Sequence, residues 1–281
     1  MLYSLPMEPN TKADCDRVTF FMIGSQRCGT TWTDAALRAH PHVYLPEKKQ
    51  SYFFDRYYNK GLNWYLEKFQ GVLPQHVAVG EVATGYCLLH AIPRMAKHFP
   101  NVKLMMVMRN PVERAYSNFQ SRQTEEGWNS FEDALTSGSE LLERGHYIDQ
   151  IECILKHYDQ KNTLFLLYDD LSGSDGEYIK SVYDFIGVDS DIKSKMIGQR
   201  KNSAMFPSLR RLLHQLGLKP LISCLSKSWV GDSIRRSRKK KGNAYRPMKQ
   251  ETKETLIAHF LPYNDRLAEF LGRDLSKWNE S

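Results

Sequence analysis

The stretch Val18-Thr-Phe-Phe-Met-Ile-Gly-Ser-Gln-Arg-Cys-Gly-Thr-Thr31 decides the fold. Val18 to Ile23 is a short apolar run, the pattern of a strand buried on both faces. Gly24 to Thr31 is a loop of small and polar residues around Gly29. Beyond it, Trp32, Ala36 and Leu37 recur at helical spacing up to Ala39. His40-Pro41 ends that helix, because proline disfavours helical geometry in the residue before it. The segment reads as strand, glycine-bearing loop and helix.

Working outward, Val77-Ala-Val-Gly-Glu81, Val102 to Met108 and Thr163 to Tyr168 are further apolar runs of strand length. Between and after them, Leu88 to Phe99, Tyr147 to Tyr158 and Tyr178 to Ile186 have helical periodicity, as does Glu251 to Leu271. Strands alternating with helices imply an α/β fold with a central parallel sheet and helices on both faces. The expectation is a single domain over 1–281, with a core from about 18 to 278 and an extended segment over 1–17. A chain of this length hides roughly three quarters of its unfolded surface.

Composition narrows the classes. With 41% hydrophobic and 25% charged residues the chain is ordinary globular material, which excludes general disorder, collagen and coiled coil. The net charge of +7 points to an anionic ligand more than to nucleic acid. Five scattered cysteines, without a CxxC or Cys/His cluster, argue against structural zinc and fit a reducing compartment. The first 17 residues lack a signal-peptide core, and no run of 18 apolar residues occurs. A soluble, cytoplasmic protein without membrane or nucleic-acid partners is expected. Oligomeric state is not legible.

Two motifs carry chemistry. The Gly24–Thr31 loop leaves backbone N–H groups at a helix N-terminus, where the dipole adds about half a positive charge. Gly29 allows close approach of the backbone, Thr30 and Thr31 add hydroxyls, and Arg27 adds a fixed cation. This is a P-loop-like anion site, but the lysine a Walker A loop needs after its last glycine is replaced by Thr30. Met108-Arg-Asn-Pro-Val-Glu-Arg-Ala-Tyr-Ser117 is the second motif. Asn110-Pro111 suits a helix start. Arg109 stands at a strand's carboxyl end, where open α/β sheets bind ligands, and Ser117 lies about two turns on. Two cationic sites side by side suit a ligand with two separated anionic groups.

These two motifs together resemble those of the sulfotransferases, which use 3'-phosphoadenosine 5'-phosphosulfate (PAPS). The resemblance implies 5'-phosphosulfate contacts from Arg27, Cys28, Gly29, Thr30, Thr31 and Trp32, and 3'-phosphate contacts from Arg109 and Ser117. Phe53-Phe-Asp-Arg-Tyr-Tyr-Asn-Lys-Gly-Leu-Asn-Trp-Tyr65 is similar to the heparan sulfate 3-O-sulfotransferase branch. The basic run Arg235 to Asn243 ends in Lys239-Lys-Lys-Gly-Asn243, which resembles that branch's donor-covering loop and implies contacts from Lys241, Gly242 and Asn243. Tyr245-Arg-Pro247 and Tyr263 to Leu275 are also family-like.

The departures are specific. Most of the family has lysine where this chain has Arg27, although tyrosylprotein sulfotransferases resemble it in having arginine. Arginine stabilises charge but is a poor proton donor. The branch pattern K-E-x-x-F-F carries a glutamate base, whereas Lys49-Gln-Ser-Tyr-Phe-Phe54 has Gln50 there. Substitute bases are Glu81, at a strand end, then Glu47 and His146. Acceptor contacts are expected from Gln50, Tyr52, Phe53, Arg56 and Tyr86, with Trp64 nearby. Cys224 has no evident disulfide partner, and Glu81-Val-Ala-Thr-Gly-Tyr86 lacks the lysine of E-K-T-P. Both losses argue against long heparan-like acceptors. The expected reaction moves a sulfonate from PAPS to a hydroxyl, or less readily an amine, of a small molecule or glycan. No metal is required, because Arg27, Lys49 and backbone amides supply positive charge. A nucleotide-binding homologue without turnover, and an ATP-dependent phosphotransferase, are the alternatives.

Overall fold

The computed structural model describes residues 11–137, 140–198 and 248–280. The late Lys/Gly loop with Lys241, Gly242 and Asn243, Tyr245 to Pro247 and Cys224 lie outside them. The elements below belong to one compact unit, residues up to Gln199 together with Gln250–Ser281.

Among the described residues a five-stranded, all-parallel sheet has the order β2-β3-β1-β4-β5. The strands are β1 (Phe20–Gly24), β2 (Val43–Tyr44), β3 (Ala78–Val82), β4 (Lys103–Met108) and β5 (Thr163–Leu167). In chain order the helices are α1 (Thr11–Asp16), α2 (Thr30–Arg38), α3 (Leu62–Leu66), α4 (Ala91–His98), α5 (Pro111–Glu126) and α6 (Phe131–Thr136). They continue with α7 (Tyr147–Leu155), α8 (Tyr168–Gly173), α9 (Asp175–Ile186) and α10 (Gln250–Leu271). The expected strands and helices are present. Two-residue β2 is too short to leave a periodic pattern, and α1 is helical where an extended segment was expected.

Side-chain alternation along the strands splits the core into two layers. Phe21, Ile23, Leu104 and Met106 pack with Ile92 and Met95 of α4 and Ile148 and Ile151 of α7. Phe20, Met22, Met105 and Val107 pack with Ala36 and Leu37 of α2 and Ile179 and Val182 of α9. Each fully buried side chain of this size contributes about 1.5–3 kcal/mol. Helices therefore cover both faces, and only the strand ends are left for a ligand. β1 is central, with β3 on one side and β4 on the other. The chain switches sides there, so the carboxyl ends of β1, β3 and β4 frame a crevice. Gly24, Val82 and Met108 end at its rim.

Candidate active site

The β1–α2 loop is built to leave donors unpaired. Ser25 N–H donates to Val107 O of β4 (2.7 Å), fixing where the loop departs. Through Gln26-Arg27-Cys28-Gly29, φ is positive only at Arg27 (72°) and Gly29 (85°). Such sign alternation makes successive N–H groups converge into an anion nest. Trp32 N–H and Thr33 N–H donate to Gly29 O at 2.9 and 3.2 Å, opening α2. The N–H groups of Gly29, Thr30 and Thr31 find no acceptor among the described residues. Gly29 is required for a second reason: a Cβ there would sit 2.5 Å from Leu171 Cδ2 of α8. The tight approach is thus of α8 to the loop, rather than only of a ligand to the loop.

Two of the loop's expected donor contacts are corrected. Cys28 is fully buried, its N–H donates to Ser25 O (3.3 Å), and its Sγ lies 3.9 Å from Tyr147 OH. Burial pushes the thiol up to about 12, so it is neither nucleophile nor anion donor. Trp32 is buried and packs edge-on against Tyr178.

The cations converge. Arg27 Nε donates to Ser117 Oγ of α5 at 3.0 Å, joining the two motifs into one site. Lys49 Nζ donates to Thr31 Oγ1 (3.0 Å) and Thr30 Oγ1 (3.4 Å). Lys49 is pushed down to about 8, chiefly by burial, with Arg38 and Arg27 acting in the same direction and Asp34 opposing. Arg109 Nη2 donates to Glu113 Oε2 (2.6 Å), and its guanidinium lies 4.9 Å from the Tyr168 ring. Asn110 caps α5 by accepting from Val112 N–H (3.0 Å) and Glu113 N–H (3.3 Å). Tyr147 OH donates to Arg109 O (2.9 Å), fixing the backbone behind the guanidinium.

Across the crevice, Gln50 Oε1 accepts from Thr84 N–H (3.3 Å) and Thr84 Oγ1 (3.1 Å). Arg144 Nη1 in turn donates to Thr84 O (3.0 Å). Tyr52 is half-buried at φ 57°, a left-handed value unusual for a tyrosine, with the Arg56 guanidinium 5.1 Å from its ring. Arg56 and Glu47 are exposed. Trp64 is half-buried under the Lys68 ammonium, 3.4 Å from the ring centroid.

Glu81 corrects the reading of a strand-end base. It is fully buried, and its carboxylate accepts from Ser51 N–H, Ser51 Oγ (3.2 Å), Tyr65 OH (2.9 Å) and Tyr86 OH (3.0 Å). Burial raises its pKa and these hydrogen bonds oppose the rise. Tyr86 and Phe53, expected at the acceptor, are also fully buried. Phe53 stacks on Tyr65 at 4.8 Å. All three residues build the wall behind Gln50 and do not line the crevice. His146 Nε2 pairs with His259 Nε2 (2.9 Å) and its ring stacks on Tyr263, both of α10, so it too is engaged elsewhere. Sequence reasoning missed Thr84, Arg144, Tyr147 and Tyr168. Each comes from a distant segment and carries no motif of its own.

Comparison with known proteins agrees with this geometry. The sulfotransferase domain family matches residues 18–208. Heparan sulfate glucosamine 3-O-sulfotransferase 3B1 of Mus musculus is 26% identical over 263 residues, covering 90% of this chain and 63% of that protein. Membrane-associated sulfotransferase kil1 of Dictyostelium discoideum is 33% identical over 103 residues, 36% of this chain and 22% of that protein. The chain thus spans less than two thirds of either relative. A sulfotransferase structure from Alicyclobacillus acidocaldarius superposes with a TM-score of 0.68 at 22% identity, covering 94% of this chain and 99% of that one, which shows a shared fold. With its two motifs joined at one crevice and the family match spanning most of its length, the chain belongs to the sulfotransferase domain family.

Proposed function

We propose that this protein transfers a sulfonate from PAPS to an acceptor hydroxyl, less readily an amine, of a small molecule or glycan. The observation that carries this is the Arg27 Nε–Ser117 Oγ hydrogen bond. It brings the Gly24–Thr31 loop and the Arg109–Ser117 motif into one doubly cationic site. The N–H groups of Gly29, Thr30 and Thr31, without an acceptor among the described residues and beside Arg27 and Lys49, fit a phosphosulfate group. Arg109 and Ser117 fit a second phosphate.

When bound, PAPS supplies an activated sulfonyl group with a phosphate as leaving group. Arg27 holds the negative charge that grows on the phosphate side, from a position fixed by Ser117. It remains protonated throughout, so its part is electrostatic. Lys49 and the hydroxyls of Thr30 and Thr31 orient the same oxygens. Gln50, Tyr52 and Arg56 border the space left for the acceptor. The test is transfer of radiolabelled sulfonate from PAPS to a panel of phenols, alcohols and glycans. Label in product supports the reading. Tight binding of adenosine 3',5'-bisphosphate without transfer to any class overturns it in favour of a non-catalytic homologue.

Two expected outcomes belong to the donor side. Arg109→Ala weakens adenosine 3',5'-bisphosphate by about 1.5–3 kcal/mol, or roughly 10–150-fold, the worth of a charge-assisted hydrogen bond. Adenosine 5'-monophosphate is unaffected, because it lacks the phosphate that Arg109 meets. Calorimetry with both ligands checks this, and equal losses contradict the assignment. The second outcome is a pH dependence. Lys49, with a free-state pKa of about 8, is charged below that pH, and an anion beside it raises that value. With both phosphates dianionic, above about pH 7, bisphosphate affinity is therefore level up to about pH 8, falls above it, and binding there takes up a proton. Lys49→Arg removes the fall. Affinity that is flat to pH 9.5 in the parent protein contradicts the contact.

A further inference from the structure

Gln50, which borders the space proposed above for the acceptor, is an amide whose orientation is fixed. A backbone N–H can only donate, so the group that accepts from Thr84 N–H is the oxygen of Gln50. Thr84 is itself pinned by Arg144 and is buried, so turning the amide over would set its NH2 against the Thr84 N–H and leave that donor without its acceptor. The remaining capacity of Gln50 is two N–H donors on Nε2, in a half-buried position at the carboxyl edge of the sheet. Lys49, its neighbour in the chain, reaches Thr30 and Thr31 of the anion loop. The acceptor thus meets donors and cations where a proton acceptor would be needed to activate an ordinary alcohol.

Among the described residues, the carboxylates near by in sequence or in the fold do not fill that need. Glu81 is fully buried behind Ser51, Tyr65 and Tyr86. Asp34 pairs with Arg38 at 3.0 Å. Asp55 has a side chain only 3% exposed. Glu47 is exposed.

Resting on the sulfonate-transfer reading above, we propose that Gln50 selects acceptors whose own O–H is acidic, phenols or comparably acidic hydroxyls, and holds them as oxyanions through Nε2–H. The acceptor's proton goes to water. An electron pair of its oxygen forms the new O–S bond, and the S–O bond to phosphate breaks with its pair kept on the phosphate oxygen. Lys49, next to Gln50 in the chain, and Arg27 of the same loop site supply positive charge toward a bound oxyanion, while Arg38 is already paired with Asp34. Amide N–H groups are established donors to oxyanions.

The probe is 4-nitrophenol, whose ionisation is read by its absorbance, titrated into the full chain saturated with adenosine 3',5'-bisphosphate. The bound phenol ionises at lower pH than the free one, and Gln50→Glu reverses the shift because a carboxylate repels the oxyanion. With PAPS, rates over a phenol series follow acceptor acidity, and simple alkyl alcohols are slower by about 10²–10⁴-fold, the usual worth of a general base. Gln50→Glu narrows that gap, gaining on alcohols and losing on phenols. Nitrophenol that binds in neutral form or not at all, or alcohols that match phenols in the parent protein, overturns the inference while bisphosphate binding stands. Failure of bisphosphate to bind overturns the sulfonate-transfer reading instead.

Discussion

Arg27→Ala is expected to lower turnover by about 10²–10³-fold, the loss seen when one donor to a developing oxyanion is removed. The substitution is clean in the folding sense. Arg27 is exposed, and the backbone that gives it φ 72° is fixed by its neighbours, Ser25 bound to β4 and Gly29 opening α2. The unfolding temperature therefore stays within a few degrees of the parent. Bisphosphate affinity falls less than turnover does, because the charge Arg27 meets is greatest in the transition state. Arg27→Lys recovers part of the loss, since a point charge replaces the cation but not the planar fork that also reaches Ser117. Steady-state rates with radiolabelled donor, alongside thermal unfolding, check both variants. Full activity in Arg27→Ala would mean that Lys49 and the backbone nest stabilise the leaving phosphate without it.

Glu81→Leu has the largest expected effect on stability. It removes the acceptor for Ser51 N–H and for the hydroxyls of Ser51, Tyr65 and Tyr86, all in a part of the core closed to water. Each orphaned donor costs about 1–3 kcal/mol. Ser51 and Tyr86 keep a bond to each other at 2.8 Å, so the total is smaller than a simple sum, about 3–5 kcal/mol, as for breaking a buried charged network. At roughly 2–4 °C per kcal/mol, the midpoint falls by about 6–20 °C. Glu81→Gln keeps one acceptor oxygen and loses less. In both variants the turnover of the protein that remains folded stays within about threefold of the parent, because no reacting atom meets Glu81. Thermal melts with activity measured per folded molecule decide this. A stable Glu81→Gln protein with turnover down about 10²-fold or more would return the base role to Glu81.

The two layers of core show why some of this was legible in advance. β1, β4 and β5 read as apolar runs because a parallel strand covered by helices must be apolar on both faces. The helix after Gly29 and the cap at Asn110 follow from local rules, and both were readable. Glu81 was misread because its face is set by pairing, which sequence does not show. In the parallel register it lies opposite Phe21, and Phe21 belongs to the layer with Phe53, Phe54, Tyr65 and Tyr86. A carboxylate at that position is drawn into the layer and satisfied there. His146 was likewise drawn to α10 by His259, 113 positions along the chain. Gln50 was recognised as a departure, but its meaning depended on Thr84, whose N–H fixes which end of the amide faces out. The two motifs of the proposed donor site were legible because each is contiguous in the sequence. The surroundings of Gln50 were not, because they bring in Thr84 and, through it, Arg144 from far along the chain.

The central claim is a crevice with two anion sites matched to an adenosine carrying separated 3' and 5' groups. Its most direct test is a calorimetric and thermal-unfolding titration with adenosine 3',5'-bisphosphate, set beside ATP with magnesium. At 100 times Kd a ligand adds about 2.7 kcal/mol, which corresponds to a midpoint rise of about 5–10 °C for a chain near this size. The expected result is that rise for the bisphosphate and none for ATP with magnesium. A rise for ATP alone would contradict it and assign the Gly24–Thr31 loop to phosphoryl transfer.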